Sequence, residues 1–349
     1  MEPVTHFLTG ACLARTGFNR KIAYATLAMT LAAEAPDLDV FWAFEGPVAA
    51  FRHHRGITHT FIAAPFMAAI TVGAMWLWHR FKMRRGRPPA MQPRWFALWL
   101  LALLADLSHI LLDYTNNYGI RPFFPFSAKW YEADLVFVLE PILLAVLALA
   151  LLVPLLLRFV DQEIGGRDEV RRVKHRGRQL AVAALVCMVA LWVWRAAEHH
   201  AAIGLVREQS PPEESIVRIA AEPYPVNPFR WHAVAETPDS YRVAEVDTAA
   251  EHVSSDPTQD VYFKPADTPA TRAAKNSPLG RVYLDWAKFP LVEEGGKHGQ
   301  WTEVDFRDLR FSYAGFGFLA GDRTPLSASV EVAPDGTVTE MRFNGHVQH

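Results

Sequence analysis

Within LLADLSHILLDY (103–114), Asp106, His109 and Asp113 recur at i, i+3 and i+7. On a helix that spacing stacks all three side chains on one face. The surrounding residues are apolar enough for a membrane segment, where an ionisable side chain is costly and marks function by default. An imidazole one turn from a carboxylate suits a metal ligand, and equally a histidine held by a supporting acid. A polar stripe satisfied by neighbouring helices is the plainer alternative. Elsewhere, Asp37 and Asp39 follow Pro36, which ends the preceding helix and leaves both acids at its tip. His59 opens a long apolar run and is preceded by Arg52, His53, His54 and Arg55 in FRHHRGITHTF (51–61). His6 lies near the start of the first apolar segment, and Glu132, Asp134 and Glu140 lead into another.

These residues must be positioned by apolar helices. Four strong spans are expected at 59–78, 95–114, 135–157 and 179–194. The shorter segments 4–14 and 22–33 suit a tight or partly inserted hairpin. Basic residues crowd 79–94 and 158–178, which the distribution of Lys and Arg assigns to the cytoplasmic side. The loops 36–58 and 115–133, the N-terminus and everything after Trp194 then fall outside. On that topology His6, Asp37, Asp39, His59, His109, Asp113, Glu132, Asp134 and Glu140 all approach one face of the membrane. Arg52 and Arg55 run against the charge rule there and need another reason to be present.

A mixed set of imidazoles and carboxylates favours zinc, manganese or iron(II) over calcium or magnesium. The two cysteines, Cys12 and Cys187, sit in apolar segments and suggest neither a disulfide framework nor a structural zinc site. Arg55, with Arg52, is placed to neutralise a phosphate or another anion as charge develops; contact with lipid headgroups is the alternative. The formal charge of −2 gives no basic excess, so no nucleic-acid partner is expected. The first residues lack the basic region of a signal peptide, and no cleavage is expected.

Beyond about Gly204 the pattern changes to period two, the mark of half-buried strands. SIVRIAAEP, FRWHAVAE, SYRVAEVD, RVYLDWAKF and LSASVEVAPDGTVTEMRF all read as strands, with Asp335-Gly336 as a hairpin turn. Residues 250–278 read as a loop. The expected architecture is a mainly α membrane bundle (1–200) followed by a small antiparallel β-rich domain outside the membrane (201–349), shaping the bundle's outer face.

HFLTG (6–10), APDLDV (35–40), HRGITHT (54–60), HILLDYTNNYGIRPFFPFS (109–127) and DLVFVLEP (134–141) together resemble the YdjM-like family of LexA-binding, inner-membrane-associated metal-dependent hydrolases. The resemblance covers roughly residues 1–200, and PYPVNPFRW (223–231) is similar to the extension of longer members. It implies a multi-pass bacterial inner-membrane protein with metal ligands at His6, Asp37, Asp39, His54, His59, His109 and Asp113. His109-x-x-x-Asp113 is also similar to the helix-borne HxxxD of zinc-dependent phospholipases C. The family has Asp where this chain has Glu140, which discounts a ligand role there, and His53 has no counterpart. LexA binding does not fit a polar cluster facing away from the cytoplasm.

Residues and resemblance together point to a membrane metal-dependent hydrolase with its site at the periplasmic boundary. Arg55 and Asp113 would serve catalysis, with zinc first among the metals and manganese or iron as alternatives. Membrane lipids are the expected partners, with a phosphoester or lipid-like molecule as substrate. A transporter relaying protons or cations is the second reading, weakened because the inner halves of the spans are nearly free of charge. A non-catalytic interaction protein is the third.

Overall fold

The computed structural model describes residues 1–87, 89, 91–164, 167–211, 215–313 and 325–348. Pro88 and Ala90 in the first basic connection, and Gly165 and Gly166 in the second, lie outside the described residues. Two compact units emerge. The first comprises Met1–Asp39 and Arg55–Ala196; the second comprises Val40–His54 and Ala197–His349.

In the first unit, α1 (Pro3–Arg15) starts where the Glu2 side chain accepts from the Thr5 amide at 2.9 Å, with Pro3 in the first turn. Helix α2 (Ala25–Glu34) packs against it at backbone range. A Cβ on Gly10 would lie 2.5 Å from the Met29 carbonyl oxygen, so only glycine fits there. Ala14, Ala25, Ala28, Ala32 and Ala33 continue this seam into a core with Leu98, Ala102 and Ala105 of α5 (Trp95–Thr115). Small residues let apolar helices approach closely where hydrophobic exclusion contributes little.

Two helical segments among the described residues are long and apolar enough to cross a membrane, Trp95–Thr115 and Gly177–Gln209. The second lies within α7 (Arg167–Gln209). A third span arises if Pro47–His59 and Ala64–Arg84 are taken together, but they meet at an 88° bend. The expected run from His59 is therefore broken at its start: His59 ends a short 3₁₀ turn, Ile57–His59, and α4 begins only at Ala64, with Pro65 in its first turn. Likewise 135–140 is extended rather than helical, and α6 (Pro141–Ile164) starts at its proline. That leaves Pro141–Leu157 as a shorter apolar helix. An apolar window in sequence does not reveal where proline resets the backbone.

Around α6 a second core forms from Leu112, Leu143, Leu147, Ala150, Ala181 and Ala184. At its edge Arg195 Nη2 donates to Glu140 Oε2 at 3.1 Å, both side chains fully buried. Glu140, just ahead of α6, is thereby occupied in an ion pair with α7.

Among the described residues the second unit holds two five-stranded antiparallel sheets. One runs β1 (Arg218–Pro223), β2 (Arg230–Glu236), β3 (Ser240–Asp247) and β4 (His252–Ser254), with β5 (Val261–Phe263) also paired to β3. The other orders β10 (His346–Val347), β9 (Val338–Phe343), β8 (Ala328–Val332), β7 (Trp301–Asp308) and β6 (Pro290–His298). The expected hairpin at Asp335-Gly336 is present, with Gly336 at φ 85°.

Two expectations are corrected here. RVYLDWAKF is mostly helical, lying in α9 (Pro278–Trp286). Ser277 caps that helix by accepting from the Gly280 amide, and Leu279, Tyr283 and Trp286 bury one face at i, i+4 and i+7. The 250–278 region is no plain loop; it supplies β4, β5 and α8 (Pro269–Asn276), the last closed by a Thr268/Thr271 capping box.

The segment 40–54 belongs to this second unit. Helix α3 (Pro47–His53) packs Phe51 against Tyr283, Trp286 and Phe343, and Gln348 accepts from the Val48 amide.

Candidate metal centre

Helix α5 presents His109 and Asp113 one turn apart on its buried face. The 3₁₀ segment Ala35–Glu45, started by Pro36, carries Asp37 and Asp39. Arg55 and the Ile57–His59 turn return the chain to the same place. One donor atom each from Asp37, His59, His109 and Asp113 lies within 4.8 Å of the other three. His59, His109 and Asp113 are fully buried and Asp37 is partly exposed, so the group has one side open for exchange.

Tautomer assignments follow from the partners. His109 Nδ1 lies 2.7 Å from the Ala33 carbonyl oxygen, which can only accept, so Nδ1 carries the proton. In the neutral ring, Nε2 then turns a lone pair toward the group. His59 Nδ1 faces Thr58 Oγ1 at 3.0 Å and Asp39 Oδ2 at 3.5 Å, again leaving Nε2 inward. The two Nε2 atoms are 3.0 Å apart. His59 Nε2 is 3.3 Å from Asp37 Oδ1 and 3.4 Å from Asp113 Oδ2; His109 Nε2 is 3.5 and 3.3 Å from the same oxygens.

Donors about 2.1 Å from a tetrahedral ion lie about 3.4 Å from one another. The four nitrogen–oxygen separations, 3.3–3.5 Å, match that spacing. Asp113 Oδ2 is buried without a hydrogen-bond partner among the described residues and faces both Nε2 atoms. Two imidazoles and two carboxylates fit zinc, manganese or iron(II).

Asp113 has a second, protein-facing oxygen. Its Oδ1 accepts from Arg55 Nη2 at 2.8 Å and from the α-amino group of Met1, and lies 3.3 Å from His6 Nε2. Arg55 Nη1 donates to Asn116 Oδ1 and to the Gly119 carbonyl, each at 3.0 Å, and the guanidinium lies over the Tyr118 ring. The Arg55 amide donates to Asp39 Oδ2 at 2.7 Å. Arg55 adopts φ 51°, a left-handed conformation that costs a non-glycine residue about 1–2 kcal/mol. The buried hydrogen bonds from both its backbone and its side chain hold it there.

The other sequence candidates divide. His6 stacks on His109, with ring centroids 3.7 Å apart, and Asp39 supports His59; neither belongs to the four-donor group. His54 follows α3 and falls in the second unit, and it too is outside the group. His53 stacks on Trp42 at 4.0 Å. Glu132, Asp134 and Glu140 are also outside it. Asn116 and Tyr118, which fix Arg55, were not singled out from sequence, although TNNYG lay inside a quoted motif; amide and ring partners carry no spacing signal of their own.

A helical membrane domain with a buried His/Asp group and an appended β domain is the class defined by these features. The chain belongs to the YdjM inner membrane protein family, whose model matches residues 1–202. It is also similar to the uncharacterized protein YfhP of Bacillus subtilis (strain 168), 30% identical over 149 residues. That match covers 40% of this chain and 42% of the relative, so less than half of either. No solved structure matches the chain.

Proposed function

We propose that this chain is an integral inner-membrane metal-dependent hydrolase whose site opens at the periplasmic boundary. The observation that carries the reading is the convergence of Asp37, His59, His109 and Asp113 donor atoms within 4.8 Å, three of the four residues fully buried. Those four would hold a divalent ion, zinc first, with manganese or iron(II) as alternatives. Such an ion supplies Lewis acidity and lowers the pKa of water to about 7.

The protein's own side chains do the rest. Arg55 neutralises Asp113 Oδ1 and fixes the carboxylate so that Oδ2 faces the donors. Its Nε, buried without a partner, is a donor available to an anionic oxygen nearby. Asp39 and the Ala33 carbonyl set the two imidazole tautomers, and Asp37, on the open side, admits the substrate. Arg55 and an ion favour a phosphoester, and a site at a membrane boundary favours a lipid-like one. Four spans and a periplasmic β domain complete this reading, because Lys and Arg at 79–94 and 158–178 favour the cytoplasm.

Hydrolysis of a panel of phospholipids and soluble phosphoesters by the metal-loaded protein tests the activity. His109→Ala should abolish it. In the same topology a cysteine at the exposed Ala128, in the 115–133 loop, reacts with an impermeant thiol reagent from outside, and one at Arg87 does not. The reverse labelling would sink the periplasmic site.

A further inference from the structure

One helical turn from the four-donor group lies a layer of buried polar atoms that hydrolysis does not use. Asp106 is fully buried, and among the described residues neither of its carboxylate oxygens has a hydrogen-bond partner. Thr9 is fully buried, and its hydroxyl has none either. His6, also fully buried, has no hydrogen bond at either ring nitrogen.

Contacts along the two helices place these three on neighbouring turns. Helices α1 and α5 run antiparallel: Met1 meets Asp113, His6 stacks on His109, and Ala14 shares a core with Ala102 and Ala105. Thr9 is one turn beyond His6 on α1, and Asp106 is one turn before His109 on α5. On antiparallel helices those two steps go the same way, so both residues occupy the layer next to the stacked imidazoles.

A buried carboxylate without donors is costly. Asp113 meets that cost with Arg55 and Glu140 with Arg195. Among the described residues Asp106 accepts from no basic side chain. His6 stacks on His109 with Nε2 3.3 Å from Asp113 Oδ1, and its Nδ1, buried, has no hydrogen-bond partner among the described residues.

We propose that His6, Thr9 and Asp106 hold a second divalent cation, one helical turn from the Asp37, His59, His109 and Asp113 group. The proposal rests on the metal-centre reading above. One imidazole, one hydroxyl and one carboxylate suit a first-row divalent ion such as manganese or zinc.

Metal content per chain, measured by elemental analysis on full-length protein in detergent after manganese or zinc loading and desalting, tests this. Wild type should carry two ions. Asp106→Asn and Thr9→Val are near-isosteric, and each should carry one while eluting as a monodisperse peak with wild-type helicity. Wild-type stoichiometry in both variants overturns the second position. So does a single ion in wild type that both variants keep, an outcome that leaves the four-donor group standing. Loss of every ion from a folded Asp106→Asn also overturns it, by assigning Asp106 to the first group. No ion in wild type overturns both positions, and only that result touches the hydrolase reading.

Discussion

His109 Nδ1 donates to the Ala33 carbonyl at 2.7 Å, so the Nε2 lone pair points at His59 Nε2, 3.0 Å away. A helix end thus sets the tautomer of a ring on another helix. The backbone partner cannot be replaced, but its counterpart at His59 can. Asp39→Asn keeps an acceptor for the Arg55 amide while removing the charge behind His59. Metal affinity, measured by chelator competition, should fall about 10- to 100-fold without loss of the site. An unchanged affinity would deny Asp39 its orienting role.

His54 and His59 stand five residues apart, yet only His59 points a nitrogen into the donor group. His54→Ala should keep wild-type metal content, and His59→Ala should lose the ion. Equal loss in both would return His54 to the ligand set.

Arg55→Ala removes the guanidinium partner of the buried Asp113 carboxylate and leaves the Met1 α-amino group as its remaining ion-pair partner. Breaking a buried pair this way costs about 3–5 kcal/mol. Thermal unfolding in detergent should show that loss in the metal-free protein, and added zinc should recover part of it, since an ion neutralises the same carboxylate. A variant as stable as wild type without metal would contradict the pairing.

In the β domain, burial raises the Glu236 carboxyl, but hydrogen bonds from Lys264 and Arg218 bring it below its usual value. The Lys264 Nζ distance is 2.7 Å. Because the folded value lies below the unfolded one, this stabilisation is complete above the ordinary glutamate range and is lost as pH falls through the folded value. Glu236→Gln should cost up to about 1 kcal/mol at pH 7 and less near pH 3. Hydrogen exchange of β2 amides in the full chain at the two pH values reads the difference; equal protection in wild type and variant at pH 7 would remove the contribution.

Sequence spacing located α5's polar face because His109 and Asp113 obey helical period, and it located the Asp37/Asp39 turn because Pro36 announces it. It did not separate Asp37, His59, His109 and Asp113 from His6 and His54. That division depends on which way each ring turns and on the excursion 40–54 packing with the second unit. Period two found β1, β2, β3 and the β8–β9 hairpin. It misread α9, where Val282, Leu284 and Trp286 alternate while Leu279, Tyr283 and Trp286 form the buried helical face. Apolar windows marked α5 and the span in α7, but proline restarts at Pro65 and Pro141 shortened the others.

Metal content of the wild type beside His109→Ala and Asp113→Ala tests the centre most directly. Protein from metal-replete medium should carry a transition metal in stoichiometric amount. Each variant, still folded by circular dichroism, should lose the ion of the four-donor group. A fully folded wild type free of metal under those conditions, or variants that keep it all, would contradict a metal centre at these four residues.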